Sequence, residues 1–171
     1  MSVIARRLSS EDWKPFRDLR LHALAMEPGL FCSTYASEAK NTEADWRELL
    51  GGDDRRIFGL FDGERLIGIT AAFTWREDPT RQTAVLAMSF IAPEYRGAGF
   101  ARLLYEARLE WIRSVRRFRK VVVSHRASNE PSRRANQRHG FVLVDRAPRT
   151  WPDGTTDDEL IYALELSTAL R

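Results

Sequence analysis

The sequence holds a single cysteine, Cys32, among 171 residues. A lone cysteine forms no internal disulfide and excludes zinc sites built from several thiolates, so no metal is expected. Lysine is nearly as scarce. Lys14, Lys40 and Lys120 are the only three, so arginine supplies almost all of the 27 basic side chains. No run of about 18 apolar residues is present, which argues against a transmembrane helix and a membrane partner. Met1 to Arg7 lacks the apolar stretch of a secretory signal. No internal repeat, low-complexity tract or Pro-, Gly- or Ser-rich linker divides the chain. These absences lead to the expectation of a cytoplasmic protein with one domain over 1–171.

Large side chains are well supplied: nine Phe, five Trp and four Tyr. That content argues for a packed core rather than disorder. The net charge of +3 conceals an uneven distribution. Residues 96–138 carry +9, whereas 1–95 and 139–171 carry −3 each. A concentrated positive field favours an anionic partner. A solvated, arginine-rich helix face would have the same composition.

Periodicity and turn residues outline the elements. Val3 to Leu8 reads as a strand. A helix runs from Ser10 to Met26 and stops at Pro28-Gly29. Phe31 to Lys40 is irregular or briefly helical, and Thr42 caps a helix through Leu50. Ile57–Phe61 and Arg65–Trp75 form two strands, with Asp62-Gly63 predicting a type I′ hairpin. Thr83–Ile91 is a third strand. A helix from about Gly99 to Ser114 carries Phe100, Leu103, Leu104, Ala107 and Trp111 on one side. Val121–Val123 is a short buried strand, followed by a polar helix from Glu130 to His139. Phe141–Val144 and Glu159–Leu166 close the chain as strands around Trp151-Pro152-Asp153-Gly154. The order predicts a single-domain mixed α/β fold with a mainly antiparallel central sheet flanked by helices.

The stretch from Ser89 to Arg102 lies between a strand and an amphipathic helix. Gly97 and Gly99 allow tight turns and close approach, and Ala98 and Ala101 leave room. The first amides of the helix lack internal partners and lie at its positive end, so a pyrophosphate would fit. A P-loop would need Gly-Lys-Ser/Thr, and a dinucleotide fingerprint a third glycine where Arg102 stands. The two glycines also suit a tight strand-to-helix turn that holds no ligand.

Arg96-Gly97-Ala98-Gly99-Phe100-Ala101 resembles the Q/R-x-x-G-x-G/A signature of the GNAT superfamily of N-acetyltransferases. Ile91 to Tyr95, Asn129, Gly140-Phe141 and Asp153-Gly154 extend the resemblance over roughly residues 3–166. It implies acetyl-CoA as co-substrate. Amides and side chains of Arg96, Gly97, Ala98, Gly99, Phe100, Ala101 and Arg102 would hold the pyrophosphate. The backbone of Ser89, Phe90 and Ile91 would pair with the pantetheine arm as an added strand. Asn129 would contact the pantetheine or the start of the next helix. Family members often dimerise, so a homodimer is compatible with the resemblance.

Many members of this family carry a tyrosine that protonates the departing thiolate. The aligned residue here is Asn136, whose amide is no proton donor near neutral pH. Water or Ser132 could assist instead. No general base is evident: Thr83–Ile91 has no carboxylate, and Glu94 falls in a turn. His125, after the Val121–Val123 strand, titrates in a useful range, although a histidine at a strand end also serves as a surface or packing residue. Phe31, Tyr35, Trp75 and Trp151 could line a pocket for a small-molecule or peptide amine, or simply fill the core. Two other readings stand beside the acetyltransferase. One is a non-catalytic acyl-CoA-binding module. The other, disfavoured, is a nucleic-acid binder using Arg113 to Lys120, which no recognised reader motif accompanies.

Overall fold

Seven strands form one sheet in the order β1-β2-β3-β4-β5-β7-β6 in the computed structural model, which describes residues 2–167. The expected domain span of 1–171 runs past these bounds, and Met1 and residues 168–171 lie outside the described residues. The strands are β1 Val3–Arg7, β2 Arg55–Asp62, β3 Arg65–Thr74, β4 Thr83–Ile91, β5 Lys120–Arg126, β6 Val142–Thr150 and β7 Thr156–Glu165. The helices are α1 Trp13–Met26, α2 Tyr35–Glu38, α3 Glu43–Gly51, α4 Ala101–Ser114 and α5 Glu130–Arg138. Every neighbouring pair is antiparallel except β4 and β5. The mixed, mainly antiparallel α/β architecture is the expected one.

Two apolar layers cover the sheet. On one face, Phe16, Ala23 and Leu24 of α1 and Trp46 and Leu50 of α3 pack with Ile57, Phe61, Ile69 and Phe90. On the other, Leu104, Tyr105, Leu109 and Ile112 of α4 meet Leu60, Ile67, Leu86 and Val121. Sequence periodicity set the buried face of α4 about one residue off. The buried positions are Leu104, Tyr105, Arg108, Leu109 and Ile112, while Leu103 and Ala107 flank them. The shift arises because an arginine on the apolar stripe reads as surface.

Local chemistry explains most element ends. Thr42 Oγ1 accepts from the Asp45 amide at 3.2 Å, and the Asp45 carboxylate accepts from the Thr42 amide at 2.7 Å. This reciprocal cap contributes about 1 kcal/mol to α3. The β2–β3 hairpin has Gly63-Glu64 as its loop, since Asp62 pairs with Arg65. Positive φ falls only on Gly63, at 59°. That is the pattern of a type II′ turn rather than the expected type I′. β5 and β6 are longer than expected. β6 is an edge strand with mostly exposed residues, so it needs no apolar alternation, and an edge also tolerates Pro148.

Arg20 anchors α1 to α2. It is 4% exposed, and its Nε and Nη2 donate to the two Glu38 carboxylate oxygens at 2.9 and 2.8 Å. Its guanidinium lies 5.1 Å from the ring centroid of Phe31. Removing one partner of a fully buried pair costs roughly 3–5 kcal/mol, and the partial exposure of Glu38 reduces this to about 2 kcal/mol. Glu38→Ala is therefore expected to lower Tm by roughly 4–8 °C. A calorimetric scan with an unchanged Tm would contradict this role.

Candidate active site

β4 and β5 run parallel only from Thr83 to Leu86, paired with Lys120 to Val123. Beyond Leu86 they part. The cause lies in β4 itself. Ile69 of β3 faces Phe90 and Ala71 faces Ala87, so Thr70 alone stands opposite Met88 and Ser89. Met88 takes the extra residue with a left-handed φ of 61°. Such a bulge bends and twists its strand. Thr70 Oγ1 and Ser89 Oγ, 2.7 Å apart, share a hydrogen bond at the bulge.

The edge of β4 left free by β5 leads past Ile91 to a 3₁₀ turn at Pro93–Tyr95 and then to the glycine loop. Gly97 and Gly99 have φ of 78° and 82°, a left-handed conformation that other residues rarely hold. Among the described residues, the amides of residues 97 to 100 have no protein partner. Alternation around left-handed glycines ahead of a helix makes a concavity of amides suited to anions. The expected cofactor residues from Gly97 to Arg102 therefore gather at the N-terminus of α4. Arg102 itself pairs with Glu106 at 2.6 Å. Arg96 points elsewhere. Its Nε donates to the Ile91 carbonyl at 2.8 Å and its Nη1 to Glu27 at 2.9 Å, tying the loop to the ends of β4 and α1.

A cleft of about 110 Å³ opens where the strands part. Its walls are Leu86 to Ser89 of β4, Val123 to His125 of β5, Tyr105 and Arg108 of α4, Asn129, Ser132 and Asn136 around α5, and Glu27, Leu30 and Phe31 after α1. Asn129 caps α5, its Oδ1 accepting from the Ser132 amide at 3.3 Å. Phe90 turns its side chain into the α1 layer and is not among the residues that line the cleft. Tyr35 is exposed on α2 and does not line the cleft. Trp75 lies at the opposite end of β4, where its amide bonds to Thr83, beside a separate hollow of about 470 Å³. Trp151 is buried, with the guanidinium groups of Arg126 and Arg149 over its ring.

Two buried polar atoms of residues in the cleft wall have no partner among the described residues: His125 Nε2 and Asn136 Nδ2. His125 Nδ1 lies 2.7 Å from the Arg126 carbonyl. Donation to that carbonyl places the proton on Nδ1 and leaves the Nε2 lone pair free. Burial pushes the pKa of His125 below its ordinary 6.5, against the raising effect of the Arg126 carbonyl. The imidazole is thus neutral at pH 7. Asn136, 1% exposed, accepts the Tyr105 hydroxyl proton on Oδ1 at 2.5 Å. Burial raises the Tyr105 pKa. Asn136→Ala leaves that proton without its acceptor and is expected to cost roughly 1–3 kcal/mol. A lower midpoint in urea checks this, and an unchanged midpoint would contradict it.

Sequence reasoning missed Arg108, Tyr105 and Glu27. The available signal was a charged residue one turn after Leu104 on the buried face of α4. Two arginines of the basic segment are engaged in holding the fold. Arg117 bonds to Thr74 Oγ1 and the Arg81 carbonyl, and Arg119 to the Arg116 and Phe118 carbonyls. Among the described residues, no group of three or more His, Cys, Asp or Glu could hold a metal ion, and no helix is long and apolar enough to cross a membrane.

Residues 13–141 match the family model of the acetyltransferase (GNAT) family. No curated protein matches the sequence. Solved structures match in fold across nearly the whole chain. The acetyltransferase of the GNAT family from Streptococcus pneumoniae is 18% identical with a TM-score of 0.83, covering 96% of this chain and 100% of that one. The yncA structure from Salmonella typhimurium, solved with its cofactor acetyl-CoA, is 18% identical with a TM-score of 0.79, covering 100% and 98%. NAA60 of Arabidopsis thaliana, in complex with a bisubstrate analogue, is 16% identical with a TM-score of 0.74, covering 96% and 98%.

Proposed function

The chain belongs to the acetyltransferase (GNAT) family, and from that premise we propose that it moves an acetyl group from acetyl-CoA to a primary amine by direct attack in a ternary complex. The observation that carries this reading is the free edge of β4, which leads from a cleft with orphaned polar atoms to a loop of unpartnered amides. The residues present fit the cofactor. Amides of the Gly97–Arg102 loop would hold the pyrophosphate, and the backbone from Ser89 to Ile91 would pair with the pantetheine arm. Asn129 and Ser132 would border that arm across the cleft. Acetyl-CoA supplies the activated acetyl group when bound. The same reading treats the chain as one acetyl-CoA-binding domain.

An amine enters from the α1 side, past Leu30 and Phe31. Glu27 is the carboxylate there; Arg96 holds its Oε1, which leaves Oε2 to meet an approaching ammonium. The nitrogen must lose a proton before it attacks, because an ammonium has no lone pair. His125, neutral at pH 7 and lining the cleft, takes that proton as general base through Nε2. Positioning in the narrow cleft supplies much of the remaining acceleration. The acetyl-CoA held by the Salmonella structure and the bisubstrate analogue held by NAA60 support this reading.

The test is release of free thiol from acetyl-CoA with a panel of small amines and peptide N-termini. Amine-dependent thiol release is expected. Binding of acetyl-CoA without turnover on any amine would favour the non-catalytic acyl-CoA-binding alternative.

A further inference from the structure

Arg108 is an anomaly for a buried cation. It is 2% exposed in the middle of the sheet-facing side of α4. Among the described residues, no carboxylate lies within ion-pair distance of it, in contrast to buried Arg20 with Glu38. Its Nε donates to the Leu104 carbonyl at 3.1 Å and its Nη1 to Ser89 Oγ at 3.1 Å. Its guanidinium lies 4.6 Å from the centroid of the Tyr105 ring. Burial lowers its pKa to about 10, so it keeps its charge at neutral pH. A buried cation without a carboxylate partner is expensive, and its unneutralised charge suits an anion in the adjoining cleft.

The location of the charge narrows that anion. Ser89 sits in the bulge where β4 leaves β5, so Arg108 faces the floor of the cleft. Tyr105 is not available as a proton donor there, because its proton is held by Asn136 Oδ1. The orphaned Asn136 Nδ2 is the second donor in the same wall. The other titratable groups around this corner are His125 of β5 and His139, which stacks on Tyr105 at 4.0 Å. Glu27, across the cleft, is engaged by Arg96.

We propose that Arg108, aided by the Asn136 amide, stabilises the thiolate that departs in acetyl transfer, in place of the tyrosine proton used by many relatives. The inference rests on the acetyl-CoA reading above. In the step, the amine lone pair forms the C–N bond and the C–S bond breaks. The electron pair of that bond goes to sulfur, where the guanidinium holds the charge. The ammonium proton has by then passed through His125 Nε2 to water, and the second proton, lost by nitrogen as the C–N bond forms, follows the same route. A fixed cation in a dry site needs no reorganisation as this charge develops.

The test is ultraviolet titration of the thiolate of CoA bound to the protein, beside free CoA, with acetyl-CoA affinity measured in parallel by calorimetry. Bound to the wild type, the thiol is expected to ionise at least about one pH unit below free CoA, a tenfold preference for the thiolate. Arg108→Gln is expected to abolish the shift while acetyl-CoA affinity changes by less than about tenfold. Arg108→Lys should retain part of it, because the charge remains without the planar fork. A wild-type thiol ionising at or above the free value overturns the proposal whether or not the variants fold. A shift that survives in folded Arg108→Gln also overturns it. Succinyl-CoA bound over tenfold more tightly than acetyl-CoA through Arg108 would assign the charge to an acyl carboxylate and overturn it too. Failure of the wild type to bind either CoA species overturns the acetyl-CoA reading itself, and this inference with it.

Discussion

Gly99→Glu is expected to weaken acetyl-CoA binding by at least about 100-fold, roughly 2.7 kcal/mol, in a chain that remains folded. Nothing lies within 4 Å of where a Cβ at Gly99 would stand, so the first side-chain atom has room. The residue does hold a φ of 82°, and a non-glycine residue there costs roughly 1–2 kcal/mol. The larger effect is electrostatic. A carboxylate would enter the concavity of amides proposed for the pyrophosphate and repel it. Gly154→Glu separates the two contributions, because Gly154 has a φ of 81° and equally open surroundings in the turn between β6 and β7. It should lose comparable stability and keep its affinity for acetyl-CoA. Equal affinity losses in the two variants would remove the loop from the cofactor site.

The second large effect concerns His125. His125→Gln is expected to lower kcat/KM for the amine by about 100-fold, the lower end of general-base contributions. The pH profile carries the mechanism. In the wild type, kcat/KM should fall as pH drops through the His125 pKa, which lies below 6.5. That acid limb should vanish in the variant. The same shift affects stability. Below about pH 6.5 the unfolded chain takes up the proton before the folded one does. Folding stability from His125 is therefore present above pH 6.5 and is lost as pH falls toward the lower folded value. An acid limb that persists unchanged in His125→Gln would assign the base to another group.

Features set by local chemistry were legible in the sequence. The Thr42 cap and the glycine loop follow from residues a few positions apart. Ser89, Asn129, Ser132, His125 and Asn136 do line one cleft, together with Phe31. Features set by tertiary contact were not legible. The bulge rests on Met88, a residue with no intrinsic preference for positive φ, held there by β3 on one side. Trp75 and Phe31 look alike as aromatics, yet the topology sends them to opposite ends of β4. Arg108 was hidden because hydrophobic patterning counts arginine as surface, whereas its stem and guanidinium both lie within the α4 layer.

Calorimetric titration of the wild-type protein with acetyl-CoA, with NADH as a pyrophosphate-bearing comparator, tests the central assignment most directly. Saturable binding of one acetyl-CoA per chain, with none for NADH, is the predicted result. Folded protein that binds no acetyl-CoA, or that binds NADH equally well, would contradict the assignment of the parted β4 and β5 strands and their glycine loop as an acetyl-CoA site.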